Sequence, residues 1–400
     1  MSIKVKSGRD YKVKPPGNPL PLDSRFVRLN SKNFLLITTF KVPSNQSLPN
    51  PLLAYALNDD FSLKSDIPFE VCDVDHIRNF KKLKTPWGEG IILADHGLDA
   101  PPFRGSKPKL LVEKEGRLVN FSQKLKISDG FYFDIVPIKN ELSGYDDIMF
   151  TVFPSDWSHP NFLKIENDEY VCRQEVLPNE WVSNEYSFMN CTNLSNIVGA
   201  GQHIFLGICD SKTPNLSHNK IISLVNGTWK FNEEFYLPEI KKELGWGTVY
   251  SDVALANGHN NQWHFCMLNH NHGFSKATAQ VLNIEKDKKI IEEDVDFNSS
   301  ILNGLNVYFH KAVFFDIDRD GQKEILITLR ENHNWNYTEH GSDIIVLKKS
   351  KDGVWRPHNL FFEDMNHSSI ENIDVIKLGD IEYLLVKYFS TSFSVYDFSE

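Results

Sequence analysis

The chain has 400 residues, a formal net charge of −10, 41% hydrophobic residues and 12% aromatic residues. This composition is typical of a globular protein with a large core, and the acidic balance argues against a general nucleic-acid binder. No apolar run reaches membrane-spanning length, so we expect no membrane insertion. The first twenty residues lack the apolar core of a secretory signal. This favours a cytoplasmic location, unless the sequence is a mature form or is exported by another route.

One apolar six-residue pattern recurs along the chain. Its seven copies begin 56 to 61 residues apart, at Leu35, Ile91, Ile148, Ile204, His264, Ile325 and Leu384. Such regular spacing is typical of repeat proteins. Gly and Asn-Gly turns separate further apolar runs within each unit, which gives four strands a unit. The sequence therefore predicts an all-β, seven-bladed β-propeller with four-stranded antiparallel blades.

The predicted propeller is a single domain over residues 1–400. We expect a closing strand at 1–20 and blades at about 21–70, 71–125, 126–178, 179–237, 238–296, 297–363 and 364–400. The last unit ends at Glu400 without a fourth strand. The stretches IKVK at 3–6 and YKVK at 11–14 are strand-like. We predict that this N-terminal segment pairs with the last blade and covers an otherwise open edge.

An acidic loop precedes the apolar pattern of the sixth unit. Its carboxylates stand at positions 1, 3, 5 and 9: Asp316, Asp318, Asp320 and Glu324. Gly321 lies where the chain must turn sharply, and the carbonyl of Gln322 is a natural further ligand for Ca²⁺. Position 12 is Ile327 rather than the carboxylate of an EF-hand, and apolar strands flank the loop. We predict one structural calcium site; a solvated acidic turn without a metal is the alternative.

The loop sequence DIDRDGQKEILIT resembles the calcium loop of the FG-GAP or VCBS repeat, the blade unit of integrin-alpha-like β-propellers. Glu324 stands in place of the last Asp of the family pattern. The resemblance covers nearly the whole chain in period but only one blade in full motif. It implies a propeller with bound calcium, and it leaves a protein partner open. In the equivalent loop of the third unit Lys139 takes the place of Asp316, and we expect its ammonium to replace the cation.

The loops between the second and third strands of the blades should share one face with the connections between blades. We call this the upper face, and the opposite one the lower face. Long loops on a rigid scaffold often carry function. These loops hold imidazoles, aromatic rings and basic groups, which suit a carbohydrate or another polar ligand because rings stack on C–H surfaces and basic groups meet a uronate carboxylate. The candidate ligand-binding residues are His96, Asp99, Phe103, Arg104, Trp157, His159, His218, His270, His272, His333, Trp335, Tyr337 and His340.

Other functions stay open on the same face. A polysaccharide lyase uses His and Tyr as base and acid around a uronate that Arg or a metal neutralises. Its candidate catalytic residues here are His310, Tyr337, His96 and Arg104. A protein-interaction platform would instead present an exposed apolar patch and no small-molecule pocket. The pair His270 and His272 is a weaker candidate for metal binding, and asparagine and histidine side chains also satisfy loop backbones.

Overall fold

The structure is a computed structural model. It describes residues 2–5, 9–13, 20–40, 50–97, 104–152, 160–178, 186–195, 201–211, 219–234, 237, 249–257, 263–270, 277–284, 290–296, 307–331, 344–362, 370–388 and 392–396. Within these ranges thirty strands form seven sheets, which confirms the predicted seven-bladed β-propeller. No helix in the described part of the chain has the length and apolar character needed to span a membrane.

The N-terminal segment and the first three blades contain fifteen of the strands. The N-terminal strands are β1 (Ser2–Val5) and β2 (Arg9–Lys12). Blade 1 holds β3 (Leu20–Leu29), β4 (Lys32–Phe40), β5 (Asn50–Leu57) and β6 (Phe69–Val74), and blade 2 holds β7 (Ile77–Thr85), β8 (Gly88–Asp95), β9 (Lys109–Lys114) and β10 (Arg117–Asn120). The short β11 (Leu125–Lys126) joins blade 3, which holds β12 (Tyr132–Lys139), β13 (Asp146–Val152), β14 (Asn161–Glu166) and β15 (Glu169–Arg173).

The remaining blades follow in chain order. Blade 4 holds β16 (Tyr186–Asn193), β17 (His203–Ser211), β18 (Lys220–Val225) and β19 (Thr228–Phe231), and blade 5 holds β20 (Val249–Asn257), β21 (Trp263–His270), β22 (Ala277–Ile284) and β23 (Ile290–Glu293). Blade 6 holds β24 (Val307–Phe315), β25 (Glu324–Glu331), β26 (Ile344–Lys349) and β27 (Trp355–Phe362). Blade 7 holds β28 (Ile370–Leu378), β29 (Ile381–Tyr388) and β30 (Ser392–Tyr396).

The second strands are apolar on both faces because each blade packs between two neighbours. Ile325, Leu326 and Ile327 are all fully buried, although successive residues of a strand point to opposite faces. Ile325 and Ile327 pack with apolar residues of blade 5, whereas Leu326 packs with apolar residues of blade 7. This explains why the repeated pattern is a continuous apolar run rather than an alternating one.

The N-terminal segment closes the ring as predicted. β2 pairs antiparallel with β30 and supplies the fourth strand of blade 7. Tyr11 stacks on Phe393 with 5.0 Å between ring centroids, and Val13 is fully buried. In addition, β1 pairs in parallel with β27 and forms a fifth strand on blade 6. Strands β1 and β2 therefore add to the outer edges of two blades, one more than the sequence predicted.

Connections between blades cover other outer edges in the same way. β11, which follows blade 2, pairs in parallel with β15 of blade 3. Val295, which follows blade 5, forms a parallel bridge with Trp355 of blade 6, and Val176 accepts a hydrogen bond of 2.9 Å from the N–H of Trp229 in blade 4. Such cover reduces the number of unpaired groups that an edge strand presents to other molecules.

All seven innermost strands carry a β-bulge at the same place. Each inner strand has one extra residue opposite the end of the second strand, at Leu22, Arg78, Phe133, Met189, Ser251, His310 and Glu371. A bulge bends the strand and changes the direction of its side chains, and bulges are common next to active sites. The inner strands begin at the upper face, so the seven bulges lie towards that face.

Candidate functional site

A group of aromatic rings, imidazoles and one guanidinium lies on the upper face where blades 2 and 3 meet. The guanidinium carbon of Arg78 lies 5.3 Å from the ring centroid of Phe133, so the two bulged residues make a cation–π contact. The imidazole of His96 lies 5.5 Å from the ring of Phe131 and 6.0 Å from that of Phe133. His76 approaches His96 edge-on at 6.3 Å. We call these five residues the blade 2–3 cluster.

The members of the cluster differ in exposure. His96 is fully buried, whereas His76 is exposed, and Arg78, Phe131 and Phe133 are partly exposed. The buried imidazole thus supports rings that remain accessible from the upper face. An accessible platform of aromatic rings with a cation and an imidazole beside it offers both stacking surface and hydrogen-bond donors to a ligand.

Asp95 connects the loops around the cluster. Its side chain is fully buried. Its oxygens accept hydrogen bonds of 2.8 to 3.3 Å from the N–H groups of Asp75, His76 and Gly97 and from the hydroxyl of Ser106. The ammonium of Lys109 lies 3.6 Å away. A buried carboxylate with this many donors fixes three chain segments relative to one another.

Arg104 joins the same arrangement through an ion pair. Its Nη2 atom lies 2.5 Å from Oδ1 of Asp75. The carboxylate side chain is only 6% exposed, whereas the Arg104 side chain is 41% exposed. The guanidinium is therefore held from below, while its outer part stays accessible at the upper face.

Glycines allow close contact between two backbones beside the cluster. Ser106 and Gly130 exchange two backbone hydrogen bonds of 2.9 and 3.0 Å. A Cβ atom on Gly105 would lie 2.8 Å from the backbone nitrogen of Gly130, and one on Gly97, whose φ is +77°, would lie 2.1 Å from the carbonyl oxygen of Arg104. No larger residue fits either position without movement of the backbone.

Among the predicted ligand-binding residues, the structure brings His96 and Arg104 into one region. His270 ends β21, and the lyase candidate His310 occupies the bulge of β24. The other predicted positions lie outside the described residues and stay predictions: Asp99, Phe103, Trp157, His159, His218, His272, His333, Trp335, Tyr337 and His340.

Sequence reasoning did not select His76, Arg78, Phe131 or Phe133. A periodic signal was nevertheless present, because the residue after each bulge is Asp, Asn or Lys. These seven residues are Asp23, Asn79, Asp134, Asn190, Asp252, Lys311 and Asn372. A polar residue that recurs once per repeat on the innermost strand therefore indicates that the residue directly before it is the bulged one.

Some of these polar residues link neighbouring blades. Asp134 in blade 3 accepts a hydrogen bond of 2.6 Å from the side chain of Asn79 in blade 2 and one of 2.8 Å from the N–H of Cys191 in blade 4. Asp374 in blade 7 accepts a hydrogen bond of 2.5 Å from the ammonium of Lys311 in blade 6 and one of 3.1 Å from the N–H of Phe26 in blade 1. Two aspartates therefore connect three blades each near the axis.

The acidic loop lies between β24 and β25, on the lower face. Asp316, Asp318 and Glu324 place carboxylate oxygens within 4.8 Å of one another, a group that could hold a metal ion. Glu324 is 2% exposed, and burial raises its pKa. Burial, with the nearby Asp320 and Asp318 charges, also raises the pKa of Asp316. Concentrated negative charge at a partly buried point favours a bound cation.

Lys348 on β26 supplies part of the balancing charge. Its ammonium contacts the carboxylate of Asp318 and lies 3.3 Å from Oε1 of Glu324. Burial alone would lower the pKa of Lys348, but the two carboxylates outweigh it and raise the pKa. The two remaining predicted ligands are Asp320 and Gln322, and neither belongs to the group of three carboxylates. Asp320 instead accepts a hydrogen bond of 2.7 Å from the N–H of Gln322.

The predicted position of the Lys139 ammonium in the third blade is wrong. The Lys139 side chain is 76% exposed and lies 3.6 Å from the exposed Glu141 rather than inside its turn. Instead, the amide of Asn140 donates a hydrogen bond of 3.1 Å to Asp147. Lys139 ends its strand beside solvent, and the shorter Asn140 side chain reaches across the turn.

No family model and no curated protein matches the chain. Similar solved structures include an alpha-L-arabinanase of Penicillium chrysogenum complexed with arabinobiose, at 12% identity, 98% coverage of both chains and a TM-score of 0.41. The alpha-L-arabinofuranosidase Arb93A from Fusarium graminearum has 11% identity, 99% coverage of both chains and a TM-score of 0.43. Sqt1 of Saccharomyces cerevisiae has 8% identity, coverage of 98% of this chain and 99% of its own, and a TM-score of 0.48. Similarity at this level carries no argument about activity.

Proposed function

We propose that this propeller binds a carbohydrate on its upper face, over the blade 2–3 cluster and the loops around it. The observation that supports the proposal is the set of partly exposed rings of Phe131 and Phe133 beside the guanidinium of Arg78. Aromatic faces stack on the C–H surfaces of sugar rings, and guanidinium and imidazole groups donate hydrogen bonds to hydroxyl oxygens. The cluster offers both kinds of contact in one place.

The surroundings of the cluster favour binding because they are already ordered. Asp95 holds the backbone at His76, and Asp75 holds the head of Arg104. A ligand then orders few side chains when it binds, and this preserves affinity. A catalytic base must touch its substrate. His96 is fully buried, so it supports the aromatic rings and does not act as a base in this conformation.

The interaction-platform alternative draws less support from the described surface. The most exposed large apolar side chains are spread over five blades: Ile67, Val119, Leu142, Val176, Val225 and Ile381. A protein-docking patch requires such side chains to be contiguous.

Binding of immobilised glycans by purified variants tests the carbohydrate proposal. We expect Phe133→Ala and Arg78→Ala to weaken binding of the best glycan by about tenfold each, which corresponds to roughly 1.4 kcal/mol for a lost stacking or cationic contact. Leu142→Ala is the control, because this residue is fully exposed on the lower face. Unchanged binding by both cluster variants would refute the proposed site, and failure of the wild type to bind any glycan would refute the function.

We also propose that Asp316, Asp318 and Glu324 bind Ca²⁺ as a structural ion. Calcium prefers several carboxylate oxygens, and Oδ1 of Asp316 is buried without a hydrogen bond from the described residues. Calcium binding would release the Lys348 ammonium from Asp318. The proposal predicts a higher melting temperature with Ca²⁺ than with a chelator. Asp318→Ala should abolish this difference, whereas Glu141→Ala in the equivalent turn of blade 3 should keep it; an unchanged response in Asp318→Ala would exclude the site.

A further inference from the structure

A basic cleft opens on the upper face, further from the axis than the blade 2–3 cluster. It has a volume of about 560 Å³ and is lined by the start of β9 and by the segment that leads from blade 2 into blade 3. Lys107, Lys109 and Lys126 belong to its lining, which contains no Asp or Glu. A lining with three lysines and no acidic residue is unusual in a chain with a net charge of −10.

The positive charge of the cleft is only partly balanced. Lys126 lies 3.2 Å from Glu169, but both side chains are more than a third exposed, and such surface pairs are weak. Lys109 lies 3.6 Å from the buried carboxylate of Asp95, whose negative charge balances it. Lys107 is exposed and makes no ion pair with a described side chain. The cleft therefore has positive charge available for an anionic group.

The cleft lies close along the chain to Arg104 and to Phe131 of the blade 2–3 cluster. Lys107 lies three residues after Arg104, and Ser128 lies three residues before Phe131. The Ser106–Gly130 bridge holds the two segments side by side. Three residues of extended chain span at most roughly 10 Å, so one oligosaccharide can lie across both places.

We propose that the basic cleft binds the acid groups of the ligand, and hence that the ligand is an acidic polysaccharide carrying carboxylates or sulfates. The inference rests on the proposed function, whose ligand class it narrows. An ammonium is a compact charge that suits either group. Because the whole protein is acidic, general attraction cannot bring a polyanion to its surface, and binding depends on local groups of this kind.

Isothermal titration with polygalacturonate, dextran sulfate, neutral dextran and single-stranded RNA tests the inference. The double variant Lys107→Glu/Lys126→Glu should bind the preferred acidic probe at least about tenfold more weakly than the wild type, because two attractive contacts become repulsive. The control is Lys32→Glu/Lys230→Glu, which changes net charge equally at exposed lysines of blades 1 and 4; it should retain most of the affinity. If the charge-reversal variant does not fold, Lys107→Gln/Lys126→Gln replaces it.

The outcomes separate the inference from the proposed function. Polygalacturonate and dextran sulfate distinguish a carboxylate from a sulfate ligand. Weaker binding of either probe by the cleft variant, with unchanged binding by the control, supports the inference. Equal loss in the control, or binding of neutral but not acidic glycans, overturns the inference and leaves carbohydrate binding intact. Preference for single-stranded RNA over both acidic polysaccharides also overturns it. Binding of no saccharide at all overturns both.

Discussion

At the scale of single residues, Asp95 is the position where fold and site depend most on one side chain. Its carboxylate accepts hydrogen bonds from three backbone N–H groups and from Ser106. Asp95→Ala should lower the free energy of unfolding by about 3 kcal/mol, because buried donors without acceptors cost about 1 to 3 kcal/mol each. Chemical denaturation measures this change. Asp73→Ala, at an exposed position, is the control, and a similar loss in both variants would contradict the role of Asp95.

Glu293 gives a prediction for the pH dependence of stability. Burial opposes its charge, but His264, Lys349 and Trp355 around the carboxylate outweigh burial and lower its pKa from 4.5 to about 2. Because the folded-state pKa is the lower one, the stabilisation is complete above about pH 4.5 and is lost as the pH falls towards 2. The difference corresponds to about 3 kcal/mol.

Comparison with Glu293→Gln isolates this effect. Between pH 5 and pH 2.5, in urea denaturation, the wild type should lose more stability than the variant. Glu233→Gln, at an exposed position, should follow the wild type. Parallel curves for the wild type and Glu293→Gln would show that the charge of Glu293 does not stabilise the fold.

At the scale of elements, the N-terminal strands are the parts whose removal is most informative. Deletion of residues 1–7 removes β1 and exposes part of the outer edge of blade 6. Deletion of residues 1–13 also removes β2, the contact of Tyr11 with Phe393 and the buried Val13. We expect the longer deletion to cost at least about 5 kcal/mol more than the shorter one, because it also removes the four residue pairs between β2 and β30 and two apolar side chains.

Thermal denaturation and size-exclusion chromatography test this expectation. The longer deletion should also self-associate, because the open edge of β30 offers unpaired backbone groups to a second chain. If the two deletions have the same melting temperature and both stay monomeric, β2 does not close the ring in solution.

Elements were also the level at which the sequence was most informative. The apolar run from Ile325 and its six copies predicted the buried second strands, because each is apolar on both faces. The missing fourth strand after Tyr396 predicted the pairing of β2. The parallel pairing of β1 with β27 had no such signal, because no strand was missing from blade 6. The prediction for Lys139 was wrong because it depended on the direction in which the side chain points. The sequence of a single repeat unit does not reveal that direction.

The candidate site was only partly predictable for the same reason. His96 was selected because it lies in a loop after the second strand, but the structure places its ring beneath Phe131 and Phe133. Arg78 in β7 and Phe133 in β12 lie within two strands whose sequences show only an ordinary mixture of apolar and polar residues. Their special position comes from the bulge, which depends on pairing between strands and is not encoded by any local turn motif.

At the scale of the whole molecule, the ring depends on polar links near the axis as well as on apolar packing between blades. Asp134 is 3% exposed and connects blades 2, 3 and 4. Asp134→Ala should therefore lower the unfolding free energy by about 3 kcal/mol, through unsatisfied donors on two neighbouring blades. The exposed Asp168→Ala in the same blade is the control. Hydrogen exchange should show faster exchange at the Cys191 amide; unchanged exchange there would contradict the link.

We propose that the face of the propeller where the bulged residues lie binds a saccharide. A crystal structure of the protein with the oligosaccharide that it binds most tightly tests this claim directly. We predict that a sugar ring lies on Phe131 or Phe133 within reach of Arg78, at the upper face. A sugar found on the lower face or along the outer strands of the blades, with the blade 2–3 cluster left in contact with solvent, would contradict the claim.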